Sequence, residues 1–178
     1  MFCWMTSRNA RSRVLAAATG CFRDVLLFLS GTGCRPIELR YARVEKCDLV
    51  KGVITVRNKT RKKTGNHERP VFLSSSMIEL CRELIGNRKE GWLMLNHFGG
   101  QWSQTALEHR ITKLCGTLKI TYGATLYSFR HRWASEAIND RRMNPAMVAI
   151  QLGHTDLKML LKTYLHSDHE AMRKALDE

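Results

Sequence analysis

Acidic residues are scarce in this chain. Across 178 residues, 16 Asp and Glu stand against 29 Lys and Arg, a net charge of +13. A surplus of that size favours a polyanionic partner, either nucleic acid or an anionic membrane surface. Long apolar runs are missing, and nothing approaches the length of a membrane span, so no membrane partner is expected and nucleic acid is the better reading. Closely spaced cysteines are missing too. Cys3, Cys21, Cys34, Cys47, Cys81 and Cys115 are widely separated and form no CxxC pair. That pattern suits reduced, mostly buried thiols in a cytosolic protein. There is no internal repeat, no low-complexity linker and no cluster of carboxylates to hold a divalent metal. His166 and His169 could share a helix face, but no third ligand lies near them. Neither a metal nor a cofactor is expected. The first acid is Asp24, preceded by Arg8, Arg11, Arg13 and Arg23, which faintly resembles a targeting segment. The apolar stretch VLAAATG is too short for one, so this region is read as the start of a single domain.

What is present reads as helices around a small sheet. RVLAAATGCFRDVLLFLS (13–30) has helical periodicity with Gly20 as a weak point, and GTG (31–33) stops it. Pro36 suits the first turn of a short helix, with Arg35 held at its mouth because a residue before proline avoids the α conformation. KGVITVRN (51–58) and ERPVFL (68–73) are β-like, and a strand near Val44 to Leu49 is expected to pair with them. From residue 75 onward the pattern is helical: SSMIELCRELIG, SQTALEHRITKLCGTL (103–118), SFRHRWASEAIND (128–140) with Ser128 as N-cap, NPAMVAIQLG (144–153), then TDLKMLLKTYLH and a polar C-terminal helix. The expected class is α+β, mainly α, with a small three-stranded antiparallel sheet.

Several polar residues stand out, and each has a plain reading. Arg35 in GTGCRPIEL is equally a surface cap. Lys59 belongs to a basic stretch, RNKTRKKTGNHER (57–69), that holds Arg57, Arg61, Lys62, Lys63 and Arg69; alone it is one solvated charge among many. Arg130 in LYSFRHRWAS is read on the first turn of its helix, where it could pair with a core carboxylate, and Trp133 is a core residue that could support it. Tyr164 shares a helix face with Leu157, Leu160 and Leu161, which alone makes it packing with a surface hydroxyl. Together the same residues describe phosphoryl chemistry. Two arginines can hold the non-bridging oxygens of one phosphate. A lysine can protonate a leaving alkoxide, and a histidine can bind phosphate or take a proton. A tyrosine can attack phosphorus.

In this order and spacing the residues resemble the tyrosine recombinase, or phage integrase, family. TGCRPIEL matches the segment carrying the family's first Arg, here Arg35, with Glu38. Lys59 matches the Lys of a β-hairpin turn. YSFRH matches H-x-x-R-H, with Arg130 and His131. LGH and YLH match the segments carrying His154 and Tyr164. The match runs from about residue 20 to 168. It departs from the pattern at Tyr127, which stands where the family has a histidine. A phenol cannot replace an imidazole near neutral pH, though it can still hydrogen-bond a phosphate.

The resemblance implies a site-specific recombinase that cleaves and rejoins double-stranded DNA through a 3′-phosphotyrosine, without a metal. Arg35, Arg130 and His154 would bind the scissile phosphate, Lys59 would be the general acid and Tyr164 the nucleophile. Tyr127, Glu38, His131 and Trp133 would support them, and Arg57, Arg61, Lys62 and Lys63 would hold the DNA backbone. It further implies a free monomer that assembles as a homotetramer on DNA, in the cytoplasm of a prokaryotic or phage host. One catalytic domain over 1–178 is expected, without the helical clamping domain that precedes it in complete members, and residues 167–178 could form a C-terminal exchange helix. The alternatives are a catalytically impaired DNA-binding domain of the same fold and a type IB topoisomerase-like relaxase.

Overall fold

A computed structural model describes residues 8–57, 68–120 and 125–154. Helices α1 (Arg8–Ala17) and α2 (Gly20–Thr32) lead into the short α3 (Pro36–Arg40). Strands β1 (Cys47–Asp48), β2 (Val53–Arg57) and β3 (Glu68–Phe72) follow, then α4 (Ser75–Ile85), α5 (Gln104–Thr117), α6 (Leu126–Ser135) and α7 (Pro145–Leu152). The architecture is mainly helical with one small sheet, as the sequence led us to expect. The strands pair antiparallel in the order β1-β2-β3, with Ile54 opposite Val71 and Val56 opposite Arg69.

The centre of the domain is α2. Its Phe22, Val25, Leu26, Phe28 and Leu29 recur three and four residues apart and are all buried, so one face meets α4 and α6. Val14 and Ala18 from the N-terminal side, Ile54 and Val71 from the sheet, and Leu107, Ile111 and Phe129 from α5 and α6 complete this core. A second apolar cluster, Trp133, Ala134, Ala137, Ile138, Val148, Ala149 and Leu152, fastens α6 to α7.

Two local expectations change. The run 13–30 is two helices, not one, because Gly20 takes a left-handed conformation (φ +56°) where α2 begins. The helix expected to start at Ser128 starts at Leu126. Thr125 is its N-cap, and Ser128, one turn in, accepts the Thr125 N–H through its hydroxyl at 3.3 Å. Arg130 therefore lies on the second turn rather than the first. Residues between α4 and α5 are not helical. An isolated bridge from Arg43 to Trp92 pins them to the body, and a second, Leu95 to Gln101, closes the segment on itself.

The turn between α2 and α3 positions the site. Gly33 caps α2 in the left-handed region (φ +66°), its N–H bonding to the Leu29 carbonyl. A Cβ on Gly33 would also lie 2.8 Å from the Trp133 ring. Two independent demands, backbone conformation and close approach, thus make this residue glycine.

Candidate active site

Four elements converge beside that turn. Arg35 is the N-cap of α3 with extended backbone (φ −72°, ψ 144°), as the following proline requires. Glu38 lies one turn in and is 1% exposed. Its carboxylate accepts the Arg35 N–H at 2.8 Å and the Arg35 guanidinium at 2.8 Å. Arg35 also donates through Nη2 to the Gly153 carbonyl at 3.1 Å, which ties the start of α3 to the end of α7.

Arg130 reaches the same place from α6. It is buried and donates to the carbonyls of Gly33 (3.0 Å) and Leu152 (2.6 Å). A core carboxylate was the plain alternative for its partner, but it donates to backbone oxygens instead. Removal from water, followed by the neighbouring Arg35 charge, lowers its pKa to about 10, so it remains a cation at neutral pH. Trp133, one turn on, donates its indole N–H to the Gly31 carbonyl at 3.0 Å and packs against Gly33, fixing the turn that Arg130 grips.

His154 follows the left-handed Gly153 (φ +63°) that ends α7. Its backbone N–H bonds to Ala149, while its Nδ1 is buried without a hydrogen-bond partner among the described residues. Burial first, then Arg130, Arg35, Arg69 and His131, pushes the imidazole down to about 4. At neutral pH the ring is neutral, with one N–H to donate and one lone pair to accept. His131 lies on α6 with part of its ring withdrawn from water, and that, followed by the Arg130 charge, lowers its pKa as well.

The sequence reading counted Arg69 as part of the basic loop. It is instead a buried residue of β3, 6% exposed, on the inward side with Val71. Its guanidinium grips the Glu38 carboxylate at 3.0 and 2.6 Å and donates to the Gln151 carbonyl at 2.8 Å. Burial would raise the Glu38 pKa, but Arg69 and then Arg35 outweigh it and hold the carboxyl below its ordinary value. The alternation in E-R-P-V-F was the available signal, since Arg69 and Val71 share one face of the strand. Gln151 was also missed. Its side chain bridges α7 to the sheet and to α2 through Phe72 N, Phe72 O and Thr32 O.

The remaining sequence candidates divide. Tyr127 is 41% exposed and lines a cavity of about 440 Å³ with Pro36, Ile37, Arg40 and Thr125. Arg57 is exposed at the end of β2, its guanidinium 5.9 Å from the Tyr41 ring. Lys59, Arg61, Lys62, Lys63 and Tyr164 lie outside the described residues, as do the turn at 64–66 and the segment 167–178.

A model of the phage integrase family matches residues 6–171. The chain belongs to that family. Among curated relatives, a probable integrase/recombinase protein of Methanocaldococcus jannaschii is 30% identical over 162 residues, covering 84% of this chain and 47% of the relative. The chain thus spans about half the length of that relative. The fold is shared with solved structures of family enzymes. The Tn1549 transposon integrase, in complex with circular intermediate DNA, superposes with a TM-score of 0.79 at 20% identity, covering 96% of this chain and 65% of that one. XerA recombinase gives 0.72 at 19% identity, over 95% and 60% of the two chains. XerH recombinase bound to its difH substrate gives 0.74 at 20% identity, over 96% and 52%. In this phage integrase family member Arg35, Arg130 and His154 lie together at the turns of Gly33 and Gly153. No helix among the described residues is long and apolar enough to cross a membrane.

Proposed function

We propose that this chain is the catalytic domain of a tyrosine-type site-specific DNA recombinase. The observation that supports it most is the meeting of Arg35, Arg130 and the neutral His154, from three separate segments, around the turn at Gly33 and the turn at Gly153. Two guanidiniums side by side in a partly buried site, balanced by one fully engaged carboxylate, leave a net positive field suited to a phosphodiester.

In this reading the Tyr164 hydroxyl attacks the scissile phosphorus and forms a P–O bond to the enzyme. The bond from phosphorus to the 5′ oxygen breaks, and Lys59 gives that oxygen its proton. The neutral His154 donates its ring N–H to a non-bridging oxygen of the phosphate, and the proton lost by Tyr164 passes to water. Arg35 and Arg130 stabilise the charge that grows on the non-bridging oxygens. Attack by a new 5′ hydroxyl on the phosphotyrosine reverses each step and rejoins the strand. Cationic side chains supply what a metal would supply elsewhere. Arg57, Arg61, Lys62 and Lys63 bind the DNA backbone. The chain is a monomer when free and a homotetramer on DNA, acting in the cytoplasm.

The Tyr127 departure favours a second reading, a DNA-binding domain with impaired catalysis. Incubation with supercoiled plasmid, with and without two copies of the native target site, tests both. Site-dependent recombinant products support the recombinase. Binding without any covalent product supports the impaired domain, and site-independent relaxation supports a topoisomerase-like enzyme.

A further inference from the structure

We propose that Arg69 is a positioning residue: it locks Arg35 in its phosphate-binding orientation and couples the hairpin strand to the turn that presents His154. The proposal rests on the recombinase reading of the site, although its test does not.

Four of the five N–H groups of the Arg69 guanidinium are engaged inward. Nε and Nη2 fork onto Glu38 at 3.0 and 2.6 Å, and Nη1 donates to Pro70 (3.0 Å) and Gln151 (2.8 Å). This places Arg69 behind the site rather than against a substrate. Glu38 accepts two bonds from Arg69 and two from Arg35, so its lone pairs are filled and its side chain has one orientation. The Arg35 guanidinium is thereby held at two points, by Glu38 and by Gly153. Arg69 also fits the Gly153 turn directly, because a Cβ on Gly153 would lie 2.6 Å from both its Cδ and its Nε. One side chain therefore touches the carboxylate that fixes Arg35, the peptide before His154, and its own strand of the hairpin. Lys59 lies in the chain between β2 and β3, so the strand anchored by Arg69 is continuous with the segment carrying the candidate acid.

Lysine keeps the charge but cannot make the fork, and methionine keeps the length but loses both. Guanidinium NMR of 15N-arginine-labelled Arg69→Met and Arg69→Lys, with thermal unfolding of each and titration with inorganic phosphate, separates positioning from simple support. Arg82→Met, an exposed position on α4, is the control. The wild type and the control should show resolved, slowly exchanging Arg35 guanidinium signals that shift with phosphate. Both Arg69 variants should remain folded, lose the resolved Arg35 signals and bind phosphate about tenfold more weakly. Unchanged Arg35 signals in a folded Arg69 variant would overturn the proposal. So would loss of folding in both variants, which would make Arg69 a structural ion pair. Neither readout needs strand cleavage, so a wild type that orders Arg35 and cleaves no DNA would count against the recombinase reading alone.

Discussion

Arg35 and Gly153 are separated by 118 positions, yet the Arg35 guanidinium donates to the Gly153 carbonyl at 3.1 Å. That bond closes the site, because it holds the first arginine of the set against the peptide that precedes His154. Arg35 remains 11% exposed at its side chain, enough to reach a ligand from a fixed position. Arg35→Ala should therefore slow strand cleavage by a barrier increase of about 3 kcal/mol. DNA affinity should change little, since the contact strengthens as charge builds on the phosphate. Single-turnover cleavage and equilibrium binding, measured side by side, check the split. Equal losses in both would reduce Arg35 to a binding contact.

Glu38 faces the opposite test. Removing its carboxylate leaves two arginines without their shared counter-ion, one of them buried. Breaking a buried pair from one side costs roughly 3–5 kcal/mol. Glu38→Ala should lose stability on that scale in denaturant unfolding, and Glu38→Gln, which keeps the shape, should lose less. A near-neutral Glu38→Ala would mean that water solvates the cluster.

The pH dependence of stability follows from the same groups. The folded protein holds His154 at about 4, below its ordinary 6.5. The unfolded chain thus takes up a proton that the folded one refuses as pH drops through that window. Stability from this group is complete above pH 6.5 and is lost progressively between 6.5 and about 4. Glu38 is also held below its ordinary 4.5, so it adds a further loss as pH falls below that value. His154→Gln should flatten the curve of unfolding midpoint against pH between 6.5 and 4 while leaving the more acidic limb in place. An unaltered slope would assign it to another group.

Local chemistry explains which parts of the site were legible in the sequence. Arg35 was placed at a helix mouth because proline restricts the residue before it, and the structure has it there. The helix 145–152 carried its own start and stop in Asn144, Pro145 and Gly153. The three-stranded sheet followed from β-branched runs on either side of a turn signal. Arg69 was hidden by its neighbours, since a buried arginine among basic residues looks like one more solvated charge until the strand register turns it inward. The cap of α6 was misplaced by three residues because Thr125 and Ser128 are both good caps, and they cooperate across one turn. Partners such as the Gly33 and Leu152 carbonyls of Arg130 are set by tertiary packing, and no local pattern encodes them.

In the proposed mechanism Lys59 is the general acid. Lys59→Ala should impair cleavage of an ordinary strand. A substrate with a 5′-bridging phosphorothiolate should largely restore the rate, because a thiolate leaves without a proton. Equal impairment on both substrates would shift the role to Lys62 or Lys63.

The central claim is a covalent bond between Tyr164 and a 3′ phosphate. A nicked suicide duplex carrying the native target site traps that bond, because the short fragment after the break diffuses away. Denaturing electrophoresis followed by mass spectrometry of the protease-digested adduct then locates it. The account predicts a nucleotide on the peptide containing Tyr164, formed in the presence of EDTA, and no adduct with Tyr164→Phe. An adduct that persists in Tyr164→Phe, or one that forms only when a divalent metal is restored, would contradict it.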